Sequence, residues 1–555
     1  MPHRGCLCKE FRFSLLLITA KQDFTSRSNG VSASSVPDYG FPRCYTSFPN
    51  ADGNWVDSTA SGEVRPLTGL QRYPYTGGSK EQCWGPASHL ETPLIGLGPH
   101  WSPLGLTIYK KPTNGGKYSL PDAFDNRLII ASHGSWNRNP WIGYNLNAYT
   151  VDFASDPYTV SAQTRLLPAL RGSSKQIRPV DVRTSPVNDG ALLMTSDRDD
   201  LNAENGYAGG LYRVVGTSDT SSSNSEVGIA RIPVASDFGV APPAGVALDR
   251  LADIPCARQM THSTVNPRLL YISTMDHFCR SKSGTGESIY VVELGSDSTV
   301  VNRGPVKIIE NLNGPQGIDY SNGKMYIATN GNRESKKGNC LLEVADIDAL
   351  AGEILAETKT SAMDGSSDST YVSEVACGFT RTQWSHYWRS LRVSPSGAFA
   401  VVSIGADCNW RQFCNSDADV SKKELHTTLA RVELTGSDKG TISIAARGIR
   451  NSLGLFFDEN ENLIFTSMGS DSAAGIAGAK KDNTPDCVVE VLRFNARSPV
   501  TSARTTALSL TNPTTSIVAS WASGAKSSLE PVSRAVYKGL WVTFLVTSVL
   551  VSGSL

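Results

Sequence analysis

Hydrophobic runs of one kind recur along this chain of 555 residues. Each run follows a turn rich in Asn, Asp, Gly, Ser or Pro, contains β-branched residues and ends in a polar cluster. The six runs are RLIIASHGS from Arg127, ALLMTSDRD from Ala191, RLLYISTMD from Arg268, KMYIATNGN from Lys324, AFAVVSIGAD from Ala398 and NLIFTSMGSD from Asn462. Their length and composition predict buried or half-buried β-strands. Residues 345–359 are the best short helix candidate, and no long helical pattern competes with the strands.

The spacing of the runs indicates a repeat architecture. The turns before them lie roughly 57 to 76 residues apart, room for about four strands of five or six residues with their loops. We therefore predict an all-β fold, a six-bladed β-propeller. Because the inner strands of a propeller run alike, the polar ends of the runs are expected to meet at one mouth of the central channel; the alternative for any one end is a solvated turn. These polar ends include Ser132, His133, Asp197, Arg198, Asp276, His277, Asn330, Asp407, Asn409 and Asp471.

Composition narrows the class of partner. The 52 Lys and Arg residues balance the 52 Asp and Glu residues, which argues against a nucleic-acid partner and against a polybasic membrane binder. Gly and Pro, at 49 and 29 residues, suit a turn-rich β protein, and a hydrophobic content of 40% allows a sizeable core.

The 11 cysteines are many for a cytosolic protein and have no zinc-type spacing. Cys44 with Cys83, and Cys408 with Cys414, are candidate disulfides of an oxidising compartment. The expected location is therefore outside the cell or at its surface.

The chain divides into a propeller and flanking segments. Residues 36–495 are expected to form the propeller. It has two parts, 36–215 with two of the runs and 247–495 with the other four, joined by a Ser- and Pro-rich linker at 216–246. Residues 496–538 are rich in Ser, Thr and Ala and are expected to form a stalk.

Both termini carry apolar segments. Within residues 1–35, basic residues precede the run Phe13–Ala20, a pattern open to a weak signal peptide, a buried strand or a misassigned start. Residues 539–555 are apolar and uncharged and follow small residues and a spacer. This tail fits a GPI-anchor signal, a short membrane-spanning helix or a buried strand, so membrane anchoring is one expectation.

Several longer motifs resemble the glucose/sorbosone dehydrogenases that depend on pyrroloquinoline quinone (PQQ). They are HWSPLGLTIY from His100, HGSWNR from His133, RPVDVRTSPVNDGALLMTSD from Arg178, NGPQGIDYSNGKMYIATN from Asn313, HYWRSLRVSPSGAFAVVSIGAD from His386, and GIRNSLGLFFDENENLIFTSMGSD from Gly448. Segments that come late in the family come first here. This order implies a circularly permuted propeller or a slice of a tandem array, and six repeats favour one closed ring, since closure removes exposed sheet edges.

The resemblance implies oxidation of a sugar hydroxyl, or of a hydrated aldehyde, by hydride transfer to PQQ, while a histidine takes the hydroxyl proton. His386 matches the catalytic histidine. Asp407 would orient its imidazole, although Ala406 separates Asp407 from Gly405 and the family has no residue there.

The resemblance also implies a set of cofactor-binding residues. Arg450 and Asn451 match positions that contact the quinone, Arg178 matches one that binds a carboxylate, and Arg138 is a weaker match; the family's cofactor-binding lysine has no clear equivalent. Ca²⁺, which takes carbonyl and carboxylate oxygens, would be held by the loop that begins with Gly469 and includes Asp471, a loop that is long here and departs from the family pattern.

The expected partners are a small-molecule sugar and an external electron acceptor. Two other functions stay open. One is a non-catalytic cell-surface propeller that binds carbohydrate or protein, and the other is a calcium-dependent lactonase, which would need more Asn, Asp and Glu ligands at the channel centre. The fold cannot decide among them, because propellers carry many functions.

Overall fold

The computed structural model of the chain is described for most of the segment between residues 36 and 494. The described residues are 36–41, 44–47, 71–74, 83, 90–98, 100–135, 141–172, 176–199, 208–217, 230–275, 287–301, 304–312, 314–330, 339–365, 371–380, 386, 389–406, 425–469 and 487–494.

Within these residues the chain forms 28 β-strands and few helices. Three short strands come first: β1 (Cys44–Ser47) and β2 (Gln71–Pro74), which pair antiparallel, and β3 (Ile95–Gly98). The helices are a 3₁₀ turn at Asp122–Phe124, α1 (Val234–Phe238) and α2 (Ile347–Leu355). Helix α2 lies in the segment where the sequence has its best helical pattern.

The remaining strands form five sheets and three of the four strands of a sixth, here called blades 1 to 6. Neighbouring strands in the blades are antiparallel, apart from one short parallel strand in blade 3. Blade 1 contains β4 (Pro103–Tyr109), β5 (Arg127–Ser132), β6 (Asn145–Asp152) and β7 (Thr159–Leu167). Blade 2 contains β8 (Ile177–Thr184), β9 (Leu192–Asp199), β10 (Ala208–Gly216), β11 (Ala230–Ile232) and β12 (Val246–Asp253). Blade 3 contains β13 (Ala257–His262), β14 (Leu269–Thr274), β15 (Ile289–Glu293), β16 (Val306–Glu310) and the short parallel strand β20 (Met363–Asp364). Blade 4 contains β17 (Gly317–Ser321), β18 (Lys324–Ala328), β19 (Cys340–Val344) and β21 (Val372–Cys377). Blade 5 contains β22 (Leu391–Val393), β23 (Phe399–Ile404), β24 (Thr428–Glu433) and β25 (Ile442–Arg447). Blade 6 contains β26 (Leu455–Phe457), β27 (Leu463–Ser467), β28 (Cys487–Leu492) and, as its outer strand, β3.

The ring closes within this chain. The innermost strands β4, β8, β13, β17, β22 and β26 pack side by side in that order, and β26 packs against β4. Strand β3 completes the sixth blade by pairing with β28, with Gly96 opposite Val488. This pairing joins the two ends of the ring, so the ring has no open side for another chain to extend. The prediction of an all-β, six-bladed β-propeller is confirmed. The permuted order relative to the glucose/sorbosone dehydrogenases stays a prediction.

The six hydrophobic runs of the sequence are not the innermost strands. They are the second strand of each blade: β5, β9, β14, β18, β23 and β27. Since neighbouring strands are antiparallel, the second strand ends beside the start of the innermost strand. The polar ends of the runs therefore still reach one end of the ring, here called the rim.

In blade 4, the residues of one tight turn fit the register of the hairpin that they close. In blade 4 the two-residue loop Asn322–Gly323 joins β17 to β18, and both residues have positive φ, 53° and 78°. This is the geometry of a type I′ hairpin turn, for which Asn-Gly is a favoured pair. Residues 230–238, within the segment expected to be a linker, contain β11 and α1.

Two disulfides have both of their cysteines among the described residues, and Cys256 is disulfide-bonded as well. Cys44–Cys83 was predicted from the sequence and is confirmed. Cys340–Cys377 was not predicted, and it joins directly opposed residues of β19 and β21. The predicted pair Cys408/Cys414 lies outside the described residues. In the part of the chain that the structure describes, no helix is long and apolar enough to cross a membrane; residues 539–555 lie outside that part.

Candidate functional site

The axis of the propeller is filled by side chains near the rim. Leu104, Val180, Met275 and Leu453 form an apolar cluster there, with Met468 packed against it. A cavity of only about 10 Å³ adjoins this cluster, and its lining comes from all six blades: Leu104, Val180, Asp181, Gln259, Gln316, Ser390 and Leu453. Such a space holds about one water molecule. This axial cavity therefore has no room for a ligand larger than a water molecule.

His386 is placed at the rim by the loop before β22. Its side chain is buried, and its Nδ1 atom lies 3.0 Å from the main-chain oxygen of Ala406. Gly405 makes this approach possible, because a Cβ atom there would lie 2.3 Å from the main-chain oxygen of His386. The ring is thus oriented by a backbone carbonyl. Asp407, which was expected to orient it, lies outside the described residues.

Ala406 also connects His386 to Arg450. The amide of Ala406 donates to the main-chain oxygen of Arg450 at 2.8 Å. The Arg450 guanidinium is buried and donates from Nη1 to the main-chain oxygen of Gly469 at 2.7 Å. Four of the predicted site residues, His386, Arg450, Asn451 and Gly469, are therefore brought together between blades 5 and 6.

Asn451 and its neighbour carry buried polar atoms without partners. Asn451 is 2% exposed, and its Oδ1 atom has no hydrogen-bond partner. Ser452 is buried as well, and its Oγ atom also has no hydrogen-bond partner. A buried polar atom that makes no hydrogen bond costs about 1–3 kcal/mol, so such atoms usually mark a missing water or ligand.

Arg178 belongs to a second cluster at the rim, built from blades 1 to 3. Its Nε atom donates to the main-chain oxygen of His133 at 3.1 Å, and Nη2 donates to that of Gly134 at 2.9 Å. His133 Nε2 lies 2.9 Å from Oδ1 of Asp197, and Arg258 donates to the other oxygen of that carboxylate. All four side chains are buried. We call His133, Arg178, Asp197 and Arg258 the charged cluster.

Burial and neighbouring charges set the ionisation states in the charged cluster. Burial and the nearby Arg178 lower the pKa of His133 to about 4, against the opposing effect of Asp197, so the ring is neutral at pH 7. Burial alone would raise the pKa of Asp197, but His133 and Arg258 lower it well below its usual range. Among the described residues of the cluster, two guanidiniums lie beside one ionised carboxylate.

The two groups of residues approach the same apolar cluster on the axis. Val180 comes two residues after Arg178, and Leu453 comes two residues after Asn451; both side chains belong to the axial cluster. Arg178 and Asn451 therefore lie at the same end of the ring, at the starts of two innermost strands.

Sequence reasoning missed part of the charged cluster. His133 and Asp197 were expected at the rim as polar strand ends, and their contact confirms that expectation for blades 1 and 2. Arg258 begins an innermost strand and had no motif to mark it. Arg389 was missed as well. It is buried, and its guanidinium donates to three neutral acceptors, the main-chain oxygens of Thr329 and Thr380 and Oδ1 of Asn339. Arg138 and Asp471 lie outside the described residues.

One family model matches the chain. Residues 21–201, about a third of the chain, match the family described as TrAA12-like. The matched part includes the motifs that begin at His100, His133 and Arg178. The match covers less than half of the chain, and it does not single out the glucose/sorbosone dehydrogenases that the motifs resemble.

Other comparisons give weaker likenesses. An uncharacterized protein of Borreliella burgdorferi is 35% identical over 159 residues, which are 27% of this chain and 39% of that protein. The match thus spans about two fifths of the relative's length.

Solved structures also resemble the chain at low identity. Among them are the calcium structure of the Trichoderma reesei family AA12 enzyme (12% identity, 70% of this chain and 97% of that one, TM-score 0.35), the holo PQQ domain of the Coprinopsis cinerea pyranose dehydrogenase (12%, 42% and 47%, 0.28), and the calcium-binding protein regucalcin of Agrobacterium tumefaciens (14%, 71% and 96%, 0.35). These TM-scores are too low to support a conclusion about the chemistry of this chain.

Proposed function

We propose that this protein is a PQQ-dependent dehydrogenase that oxidises a sugar hydroxyl or a hydrated aldehyde. The observation that carries the proposal is the hydrogen-bonded unit at the rim in which Ala406 holds both His386 and Arg450. Through the main chain of Ala406, this unit ties a candidate base, His386, to the residue that carries a buried guanidinium. A dehydrogenase of this kind needs both a base for the substrate and a cation for the cofactor.

His386 is the proposed general base. A carbonyl oxygen can only accept a hydrogen bond, so the contact with Ala406 places the proton of the neutral ring on Nδ1. Nε2 then carries the lone pair that takes the hydroxyl proton of the substrate. The same carbonyl stabilises the ring after it has become cationic, because Nδ1 still donates to it.

The described residues fit a flat anionic cofactor. PQQ, when bound, supplies a quinone that accepts the hydride, and it carries three carboxylates. Guanidiniums bind carboxylates through two parallel hydrogen bonds, and Arg450 and the charged cluster offer buried guanidiniums at one rim. The unpartnered hydroxyl of Ser452 can donate to an oxygen of a bound cofactor, whereas Oδ1 of Asn451 accepts and needs an N–H or O–H donor.

Calcium fits the described residues less well. The main-chain oxygen of Gly469 accepts from Arg450, and the rim carboxylate of Asp197 is engaged by His133 and Arg258. Among the described residues, the one group with metal-binding geometry is Cys340, Glu374 and Cys377, whose cysteines form a disulfide. The described residues therefore do not form a calcium site. Ca²⁺ at Gly469 and Asp471 stays a proposal, and the proton transfer to His386 does not require it.

A non-catalytic propeller that binds carbohydrate or protein is the second candidate. It is favoured by the extra residue Ala406, whose carbonyl takes the position at Nδ1 that the resemblance assigns to a carboxylate. A lactonase is disfavoured, because the one carboxylate that lines the axial cavity, Asp181, already accepts from the amides of Val182 and Met260.

We propose further that the protein works outside the cell or at its surface. The disulfides Cys44–Cys83 and Cys340–Cys377 are typical of oxidising compartments. An external acceptor would reoxidise the cofactor there. Membrane anchoring through residues 539–555 belongs to the same proposal, and a nucleic-acid partner does not.

The test is titration of the full chain with PQQ, with and without Ca²⁺, followed by absorbance and then by dye reduction with a panel of aldoses. We expect saturable PQQ binding and dye reduction that His386→Gln lowers by at least a hundredfold while PQQ binding is kept. His262→Gln, a change on the innermost strand of blade 3, is the matched control and should keep activity. A folded protein that binds no PQQ would refute the proposal and favour the binding propeller.

A further inference from the structure

Aromatic rings and guanidiniums alternate in a stack at the rim of blade 1. The Arg171 guanidinium lies 3.7 Å from the centroid of the Trp141 ring and 5.0 Å from that of Tyr144. On the inner side, the Arg178 guanidinium lies 5.1 Å from the Tyr144 ring. The stack therefore runs from Trp141 at the surface, through Arg171 and Tyr144, to Arg178 in the charged cluster.

The inner layers of the stack are held by hydrogen bonds. Arg171 donates from Nη1 to the Tyr144 hydroxyl at 3.0 Å and also to Gln176, and the Tyr144 hydroxyl donates to the main-chain oxygen of Ser135 at 2.6 Å. Gly134 is required here, because its φ is +92° and a Cβ atom would lie 2.3 Å from the Tyr144 ring. Trp141 thus rests on a fixed support, and little conformational entropy is lost when a ligand covers it.

Trp141 nevertheless remains open to solvent. It is 47% exposed, whereas Tyr144 in the next aromatic layer is 1% exposed. Because Arg171 covers one face of the indole, the exposed area lies on the other face and the edges. Among the described residues, the other large exposed hydrophobic side chains are Val240 and Val265.

The position of Trp141 connects it to the proposed substrate site. It precedes β6, whose first residue Asn145 pairs with Ser132 at the end of β5, and the Ser135 amide donates to the main-chain oxygen of Ile142. Trp141 therefore lies at the same end of blade 1 as His133. Two whole side chains, Arg171 and Tyr144, separate it from Arg178, so one sugar ring cannot contact both.

We propose that Trp141 is a stacking platform for a second sugar ring, and that the natural substrate is a neutral oligosaccharide or glycan chain. A pyranose ring has an apolar C–H face that packs on an indole, while its hydroxyls stay in water, and an indole that is apolar on its face and hydrated at its edge suits this contact. The assignment of the reacting unit rests on the proposed dehydrogenase function; binding at Trp141 does not.

The test compares glucose with cello-oligosaccharides and malto-oligosaccharides of two to six units. For Trp141→Ala we expect kcat/KM to fall about tenfold with the oligosaccharides and to stay unchanged with glucose. Trp141→Phe should keep most of the wild-type kcat/KM with oligosaccharides, since phenylalanine still presents an aromatic face. Val265→Ala removes a more exposed hydrophobic side chain from another blade and should change neither value.

Calorimetric titration of the cofactor-free protein with the same sugars separates the two proposals. Oligosaccharide binding that Trp141→Ala weakens, in a protein without dehydrogenase activity, would support the platform and refute the enzyme. An equal loss of activity with glucose and with oligosaccharides would overturn the platform. So would oligosaccharide binding that the substitution does not change, or the absence of any binding by the wild-type protein.

Discussion

The charged cluster makes the stability of the propeller sensitive to mild acid through one residue, His133. Its pKa is about 4 in the fold, against 6.5 for an exposed histidine. As the pH falls below 6.5 the unfolded chain takes up a proton that the folded chain does not, so folding loses stability until the pH reaches about 4. One pKa unit corresponds to about 1.4 kcal/mol, and the loss over this window is therefore about 3 kcal/mol. Asp197, whose pKa is lowered, contributes in a separate window: its contribution is complete above pH 4 and is lost at lower pH.

The assay is urea unfolding at half-unit pH intervals from 7.5 to 4, for the wild-type protein and for His133→Gln. Glutamine can still donate to Asp197 but does not titrate, so the variant should lose about 3 kcal/mol less than the wild type between pH 6.5 and 4. His262, with a pKa lowered to about 4 mainly by burial, is a second and separate source of acid sensitivity. His262→Gln should therefore remove the part of the acid-induced loss of stability that His262 causes. The effects of the two substitutions should add, because the residues lie apart. An unchanged pH dependence in His133→Gln would refute the reasoning.

Two further predictions concern the structure around the site. Gly405→Ala should displace His386, since the new Cβ atom would lie 2.3 Å from its main-chain oxygen, and should lower kcat by tenfold or more with little change in PQQ binding; retention of full activity would contradict the close packing. Replacing Cys340 and Cys377 together by serine should lower the free energy of unfolding by about 3–4 kcal/mol, because their disulfide closes a loop of 37 residues, and urea unfolding measures this directly. The matched control replaces the same two cysteines by alanine; a serine variant that loses much more stability than the alanine variant would show that the hydroxyls, and not the lost bond, cause the effect.

Arg389 links that second disulfide to the rim. Asn339 precedes Cys340, and Thr380 follows Cys377 by three residues; both accept hydrogen bonds from the Arg389 guanidinium. Burial lowers the pKa of Arg389 to about 9, and its partners are neutral. Three carbonyl oxygens thus hold a charge that no carboxylate compensates among the described residues. They fix Arg389, three residues after His386 and two residues before β22.

The repeat in the sequence carried most of the information about the fold. The six runs share a period, a turn and a polar end, and these local features follow from side-chain chemistry along a few consecutive residues. They predicted the number of blades, the all-β class and the placement of His133 and Asp197 at one rim, where the two side chains are in contact. They were misleading in one respect, because the runs are the second strands of the blades.

The innermost strands had no such signal. Strands β22 and β26 have three residues each, LRV and LFF, too few to show a period. Their place at the axis follows from packing against neighbouring blades, which sequence periodicity does not report. The place of Arg258 in the charged cluster also follows from packing between blades, because β13 lies next to β8 in the ring.

By itself, the sequence determined the blade repeat, the turn residues such as Asn322–Gly323, and the residue types available for chemistry. The tertiary structure decided which of those residues meet. Strand β3 pairs with β28 across almost the whole propeller sequence, and only this closure brings blade 6 beside blade 1. The orientation of the His386 ring was likewise decided by the tertiary structure, because a main-chain carbonyl accepts from the ring. Every residue type has such a carbonyl, so the sequence does not mark this partner. Local patterns arise from neighbours in sequence, whereas a ring and its rim arise from contacts between distant residues, so the site could be expected from the sequence but not assembled from it.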